Sequence, residues 1–228
     1  MFVCSVHVLL TGEGDPVQRR TRVKICGITR PKDALLAAEL GADALGLVFY
    51  GNSPRGLSVQ QAQEIRAVVP AFVSVIGLFV NPERNQVSDV LDHLRLDCLQ
   101  FHGDETPEFC QSFAMPYMKA VRVRSGADPL PDIRKYRQAS AILLDTYDPQ
   151  QAGGTGKSFD WTIARHCVDR SPLPIVLAGG LTQENAVRAI KEVHPWALDL
   201  SSGVEREPGV KDPQRLQAFF NEVNRVRL

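Results

Sequence analysis

Cysteine is scarce and badly placed for cross-linking. The five residues Cys4, Cys26, Cys98, Cys110 and Cys167 are odd in number and widely spaced, and no CxxC occurs. That excludes a disulfide framework and the common zinc spacings, and it points to a reducing, cytoplasmic setting. An excess of charge is also missing. The 26 basic and 26 acidic residues cancel, so no bulk field draws the chain to nucleic acid or an anionic membrane. No apolar run approaches the ~18 residues of a membrane helix. The apolar start MFVCSVHVLL lacks a basic leader region and runs into TGEGDPVQRR without a small-residue cleavage site, so it reads as an extension and not a signal peptide. No GxGxxG follows the first strand candidate. Gly156-Lys157-Ser158 lacks the P-loop glycine five residues earlier, where Gln151 stands. No linker or low-complexity tract divides the chain.

What is present is an alternation. From Arg22 onward, short aliphatic runs take turns with longer segments of helical spacing. The runs are RVKIC, ALGLVF, VSVIGLF, CLQFH, YMKAVRV, AILLD, PIVLA and ALDLS. Between and after them lie PKDALLAAEL, SVQQAQEIRAVV, PERNQVSDVLDHL, TPEFCQSFA, PDIRKYRQ, DWTIARHCV, TQENAVRAIKEV and DPQRLQAFFNEVNRV, of which the fifth is the weakest. Thr106-Pro107 and Asp212-Pro213 put an N-cap before a first-turn proline, and Thr182 is placed to cap the seventh helix. Eight such units imply an α/β fold with a parallel sheet, closed as a single (β/α)8 TIM barrel over residues 21–228. Residues 1–20 form an N-terminal extension expected to be flexible and dispensable. An open doubly wound sheet is the structural competitor, and it normally brings the missing nucleotide fingerprint.

Function in a barrel gathers at the C-terminal ends of the strands. Those ends carry Cys26, Arg55, Asn81, His102, Asp145, Gly179-Gly180 and Ser201-Ser202-Gly203. Small residues after strands seven and eight let backbone N–H groups approach a phosphate; the bland reading is two tight βα turns. Asp145 closes the run AILL, and a partly desolvated carboxyl is suited to giving a proton, unless it serves as a rim cap. Arg55 can hold a carboxylate with its planar fork or stand in solvent. His102 either lines the mouth or is a structural histidine. Asp104 and Glu105 are expected to serve the N-terminus of helix four. The stretch GGTGKSFDW, with Lys157, reads as a lid over the mouth. Lys24 and Asp199 share inward parity on neighbouring strands and are expected to pair inside the barrel; a Schiff-base lysine is the sharper alternative, but Lys24 lies below the strand end. No cluster of histidines and carboxylates suggests a metal.

KICGIT, DALGLVF, SPRGLS, GLFVN, LQFHGDE, LLDT, GGTGKSFDW, AGGL and LDLSSGVE occur in that order. The ordered set resembles the phosphoribosylanthranilate isomerases of tryptophan biosynthesis and spans about residues 22–226. Residues 1–20 fall outside that pattern, as a true tail or an upstream start. The resemblance implies a cofactor-free Amadori rearrangement. It assigns the base to Cys26 and the acid to Asp145, and it gives Arg55 the anthranilate carboxylate. Gly179, Gly180, Ser201, Ser202 and Gly203 would hold the phosphate. His102 lies in the substrate site, and Asp199 has a supporting role there. It implies a small phosphosugar substrate and no nucleic-acid or membrane partner; monomer and homodimer stay open. Rival barrels would show other catalysts: lysine and glutamate for an indole-glycerol-phosphate synthase, metal ligands for a ribulose-phosphate epimerase. A silent phosphosugar-binding protein would not need Cys26 and Asp145.

Overall fold

The computed structural model describes residues 20–124, 126–146 and 160–226. Eight parallel strands close on themselves in sequence order. They are β1 (Arg22–Cys26), β2 (Ala44–Val48), β3 (Ser74–Phe79), β4 (Cys98–Phe101), β5 (Tyr117–Val123), β6 (Ala141–Thr146), β7 (Ile175–Leu177) and β8 (Ala197–Leu200). Pairing of β1 with both β2 and β8 completes the ring and sets Lys24 opposite Asp199. The helices are α1 (Pro31–Glu39), α2 (Val59–Val68), α3 (Arg84–His93), α4 (Pro107–Gln111), α5 (Leu130–Ile133), α6 (Trp161–Arg170), α7 (Ala186–Val193) and α8 (Pro213–Asn224). The expected closed barrel is therefore the observed one. Among the described residues, no helix is long and apolar enough to cross a membrane. The expected tail and lid, including Lys157, lie outside the described residues, apart from Arg20 and the lid's last residues, Asp160 and Trp161.

Why these runs become strands is visible in what each face buries. Successive side chains alternate across a strand. Val23, Ile25, Leu45, Leu47, Val75 and Phe79 point outward and pack under the helices. Ile76, Met118, Ala141, Leu143, Val176 and Ala197 point inward and fill the lower barrel. Both faces are buried, so both must be apolar, which explains runs instead of alternation. The helices match with one apolar stripe each. In α8, Leu216, Phe219, Phe220 and Val223 are buried at the i, i+3, i+4, i+7 spacing. Emptying one such site, Phe219→Ala, costs about 3–5 kcal/mol.

Caps start the helices largely where the sequence puts them. Thr106 accepts from Phe109 N at 3.2 Å, and Asp212 accepts from Gln214 N at 2.9 Å and Arg215 N at 3.0 Å. Each such cap is worth about 1 kcal/mol. The weak fifth segment is one short turn of α5 continued by a 3₁₀ turn, Arg134–Tyr136. The seventh helix corrects the expectation. Asn185 is its N-cap, so it begins later than Thr182. The Asn185 side chain instead accepts from Thr182 N at 2.9 Å and donates to Gly180 O at 2.8 Å, holding the loop after β7. A hairpin, β9 (Glu205–Glu207) and β10 (Val210–Lys211), intervenes before α8. It is too short to leave a periodic signature.

Candidate active site

The upper barrel opens into a cavity of about 420 Å³. Cys26, Arg55, His102, Asp145, Gly179, Gly180, Asp199, Ser201, Ser202 and Gly203 all line it, so the fold brings together every residue expected at the site. Two others do something else. Asn81 pins a loop, its Oδ1 accepting from Asp104 N at 2.6 Å. Glu105 does not serve a helix N-terminus. It is buried, paired with Lys119 at 3.0 Å, and accepts from Asn81 N and Gly103 N. This clamp sets the chain path just after His102.

On one side of the cavity stands the thiol. Cys26 ends β1, and Gly27 then turns the chain at φ +71°. A Cβ on Gly27 would lie 2.4 Å from Arg55 Cδ, so only glycine lets the arginine stem pass. Gly46, beside Cys26 on β2, has the same use. A Cβ there would lie 2.7 Å from Cys26 Sγ and 3.1 Å from Lys24 Nζ. Lys24 pairs with Asp199 Oδ1 at 2.7 Å, as the strand parity predicts, and both are buried. Burial pushes the Cys26 thiol above its ordinary value, and Lys24 partly opposes this. Burial also works against the Lys24 charge. The Asp199 carboxylate and the Cys26 sulfur together outweigh it and hold the ammonium above the usual lysine range.

Arg55 is oriented by a partner that sequence reading missed. Its Nε donates to Glu205 Oε1 at 2.9 Å and its Nη2 to Oε2 at 2.6 Å. That uses the side edge of the guanidinium and leaves the Nη1–Nη2 end as a second fork. Glu205 also accepts from Lys211 Nζ at 2.7 Å, and that ammonium donates to the Cys26 carbonyl at 2.5 Å. Burial opposes the Glu205 charge, but Arg55 and Lys211 overcome it and hold the carboxyl below the usual glutamate range. The acid in SSGVE was the one available signal for Glu205. Lys211 had none.

Across the cavity, Gln100, His102 and Asp145 form a chain. Gln100 Nε2 is 3.0 Å from His102 Nδ1, and His102 Nε2 is 3.1 Å from Asp145 Oδ2. Thr146 N donates to Asp145 Oδ1 at 2.8 Å. With the Gln100 amide nitrogen on Nδ1, the ring donates to an ionised Asp145. With the amide turned, Gln100 Oε1, which otherwise has no hydrogen bond among the described residues, takes Nδ1–H, and Nε2 accepts the proton of a neutral Asp145. The chain therefore serves both charge states. His102 lines the mouth and is hydrogen-bonded there, so it fits both readings at once. Gln100 shares inward parity with His102, which was its signal.

The loops after β7 and β8 complete the wall. Gly179 and Gly180 hold φ of +82° and +64°. A Cβ on Gly203 would lie 1.9 Å from the Leu181 carbonyl, so the two loops touch only because that residue is glycine.

The family model for N-(5'-phosphoribosyl)anthranilate (PRA) isomerase matches residues 23–222. The chain belongs to the N-(5'-phosphoribosyl)anthranilate isomerase family. An isomerase of this family from Pseudomonas syringae pv. tomato is 51% identical over 203 residues, covering 89% of this chain and 97% of that one. The Azotobacter vinelandii isomerase is 53% identical over 202 residues, with 89% and 97% covered. The crystal structure of the Thermotoga maritima isomerase superposes with a TM-score of 0.82 at 40% identity, covering 90% of this chain and 100% of that chain. A further isomerase structure, with TM-score 0.79, 39% identity and 90% and 100% covered, is a complex with reduced 1-(o-carboxyphenylamino)-1-deoxyribulose 5-phosphate.

Proposed function

We propose that this protein performs the reaction for which its family is named, in the cytoplasm and within tryptophan biosynthesis. N-(5'-phosphoribosyl)anthranilate becomes 1-(2-carboxyphenylamino)-1-deoxyribulose 5-phosphate by an Amadori rearrangement. Asp145 gives its proton to the furanose ring oxygen, and the C1′–O bond breaks to leave an iminium. The cation acidifies the C2′ hydrogen, and the Cys26 thiolate removes it, giving an enolamine. Tautomerisation then moves a proton from the C2′ hydroxyl to C1′ and leaves the ketone. C1′ is reduced as C2′ is oxidised, so the reaction is redox-neutral overall and requires no cofactor. The free end of Arg55 takes the anthranilate carboxylate. Gly179, Gly180, Ser201, Ser202 and Gly203 take the phosphate through backbone N–H groups and hydroxyls. Asp199 supports the site through Lys24.

The observation that carries this reading is the placement of Cys26 and Asp145 at the ends of two separated strands, β1 and β6, facing one cavity. A base and an acid must reach different atoms of one sugar, C2′ and the ring oxygen, without neutralising each other. The free state of the four described cysteines suits a reducing compartment. Freshly made N-(5'-phosphoribosyl)anthranilate tests the proposal. Enzyme-dependent loss of its anthranilate fluorescence is the expected result, and no change from the uncatalysed rate removes the proposal.

A further inference from the structure

We infer that Lys24 is the counter-ion of the Cys26 thiolate, a positioning residue that acts through the sulfur and never touches substrate. The inference rests on Cys26 being the base. A thiol removes a carbon-bound proton only as its anion, yet Cys26 is buried at the end of β1, where an anion without a partner is disfavoured. Something in the fold must offset that.

The charged groups around the sulfur come from four elements. Lys24 lies on its own strand, Asp199 on β8, Lys211 on β10, and Arg55 in the loop after β2. Two of the three cations are already committed. Arg55 turns its side edge to Glu205, and Lys211 gives its ammonium to Glu205 and to backbone carbonyls. Asp199 is an anion and opposes the thiolate. The spare fork of Arg55 is reserved for the substrate carboxylate, so Lys24 is the cation that combines proximity with donors claimed by neither Glu205 nor substrate. One of its three N–H groups goes to Asp199 at 2.7 Å. Its Nζ and the Cys26 sulfur converge on a single point, 3.1 Å and 2.7 Å from where a Gly46 Cβ would stand. Both atoms border the one gap that the missing Gly46 side chain leaves, and there the lysine charge favours the thiolate over the thiol.

The parts then have separate tasks. Asp199 keeps Lys24 protonated in the barrel interior. Lys24 delivers that charge to the sulfur. Gly46 leaves the gap in which they meet. The lysine sits below the strand end, too deep to attack a carbonyl but well placed to hold a charge beneath the thiol.

The test is the pH dependence of iodoacetamide alkylation, read by mass spectrometry on the peptide containing Cys26, so that the other thiols do not interfere. Lys24→Gln keeps a donor to Asp199 but removes the charge. At pH 7 its Cys26 should alkylate at least about 10-fold more slowly than wild type, equivalent to an upward shift of one unit or more. Lys24→Arg should restore most of the rate. Turnover of N-(5'-phosphoribosyl)anthranilate should fall with the alkylation rate, with KM nearly unchanged. A folded Lys24→Gln protein with an unshifted alkylation profile overturns the inference and leaves Lys24–Asp199 as a structural pair. If that variant does not fold, Lys24→Met combined with Asp199→Asn provides a neutral pair. Several-fold slower alkylation in it than in Asp199→Asn alone supports the inference, and an equal rate overturns it. The underlying reading fails differently. Full turnover in Cys26→Ser would remove Cys26 as the base, whatever the alkylation profile of Lys24→Gln.

Discussion

The two sides of the cavity are built by opposite means. The β1–β8 side surrounds a thiol with cations, and each cation is fixed by an acid from another element: Lys24 by Asp199, and both Arg55 and Lys211 by Glu205. On the β4–β6 side the buried pair of Lys119 with Glu105 stands outside the cavity, and Arg122, opposite Asp145 in the strand register, gives its guanidinium to the His102 carbonyl at 3.1 Å. The carboxyl of that side, Asp145, is held by a hydrogen-bonded relay through His102 to Gln100. The difference follows the chemistry proposed for each side. A base that must be an anion in a buried place needs positive charge nearby. An acid that must lose and regain a proton needs partners that accept both of its states. On that proposal, one barrel mouth separates acid from base by environment as well as by position.

Removing the reacting groups should break the comparison most severely. Cys26→Ser is expected to lose about 10⁴-fold in turnover, the upper end of acid–base effects, because a hydroxyl is too weak an acid to supply an anionic base. Asp145→Asn should lose about 10³-fold, within the same range. Substrate binding should hold in both. The two variants part under isotopic substitution. Deuterium at C2′ should slow the Cys26 variant strongly and the Asp145 variant little, since ring opening then limits the rate. Equal isotope effects in the two would merge the assigned roles.

A smaller effect is expected at Arg55, where the proposal puts the substrate carboxylate. Arg55→Lys keeps the charge but loses the end fork, and Glu205→Gln lets that fork swing. A hydrogen bond to a charged group contributes about 1.5–3 kcal/mol, so KM should rise roughly 10- to 100-fold in each, with kcat within a few-fold. An analogue without the anthranilate carboxylate should be nearly insensitive to either change. Equal losses for both compounds would move Arg55 out of the carboxylate subsite.

The lattice around Glu205 also predicts a pH dependence. Its carboxyl is held below the usual glutamate range, because Arg55 and Lys211 outweigh the cost of burial. Such a group stabilises the fold at pH values above its unfolded pKa, about 4.3, and the contribution is lost as pH falls through the lower folded value. Thermal melts of wild type and Glu205→Gln should differ most near neutrality and converge toward pH 3. A gap that stays constant over that range would show that packing, not charge, is the Glu205 contribution.

The smallest effect lies at the closed end of the chain's first strand. We propose that residues 1–20 are dispensable. Deleting them removes the pair of Arg20 with Asp43, a half-exposed contact worth about 0–1 kcal/mol. Asp43 retains its bond from Val23 N at 2.8 Å, so the start of β1 stays anchored. The melting temperature should drop by at most a few degrees, with turnover unchanged. A large loss of either would give the extension a share in the barrel or its interfaces.

Legibility in the sequence followed the range of each interaction. The eight strands were readable because burial on two faces forces aliphatic runs, and the helices because one buried face forces a repeat of 3.6 residues. The closing pair was readable too, since inward parity on neighbouring strands puts Lys24 against Asp199. Thr182 was misread because a capping residue type is only a local preference, and Asn185 formed the better-connected loop. Glu105 was misread for the same reason: its position before α4 looked like a cap, while Lys119, on the next strand, claimed its charge.

By itself, then, the sequence determined the barrel and the set of groups around its mouth, because both come from periodicity and from the rule that strand ends share one rim. Only the tertiary structure decided how those groups are charged and aimed. Arg55 meets Glu205 across 150 positions of chain, His102 meets Asp145 across 43, and Lys211 reaches the Cys26 carbonyl across 185. Contacts of that range depend on loop paths and on gaps such as those at Gly27 and Gly46, where the absence of a Cβ lets two side chains meet, and no repeat in the sequence encodes them.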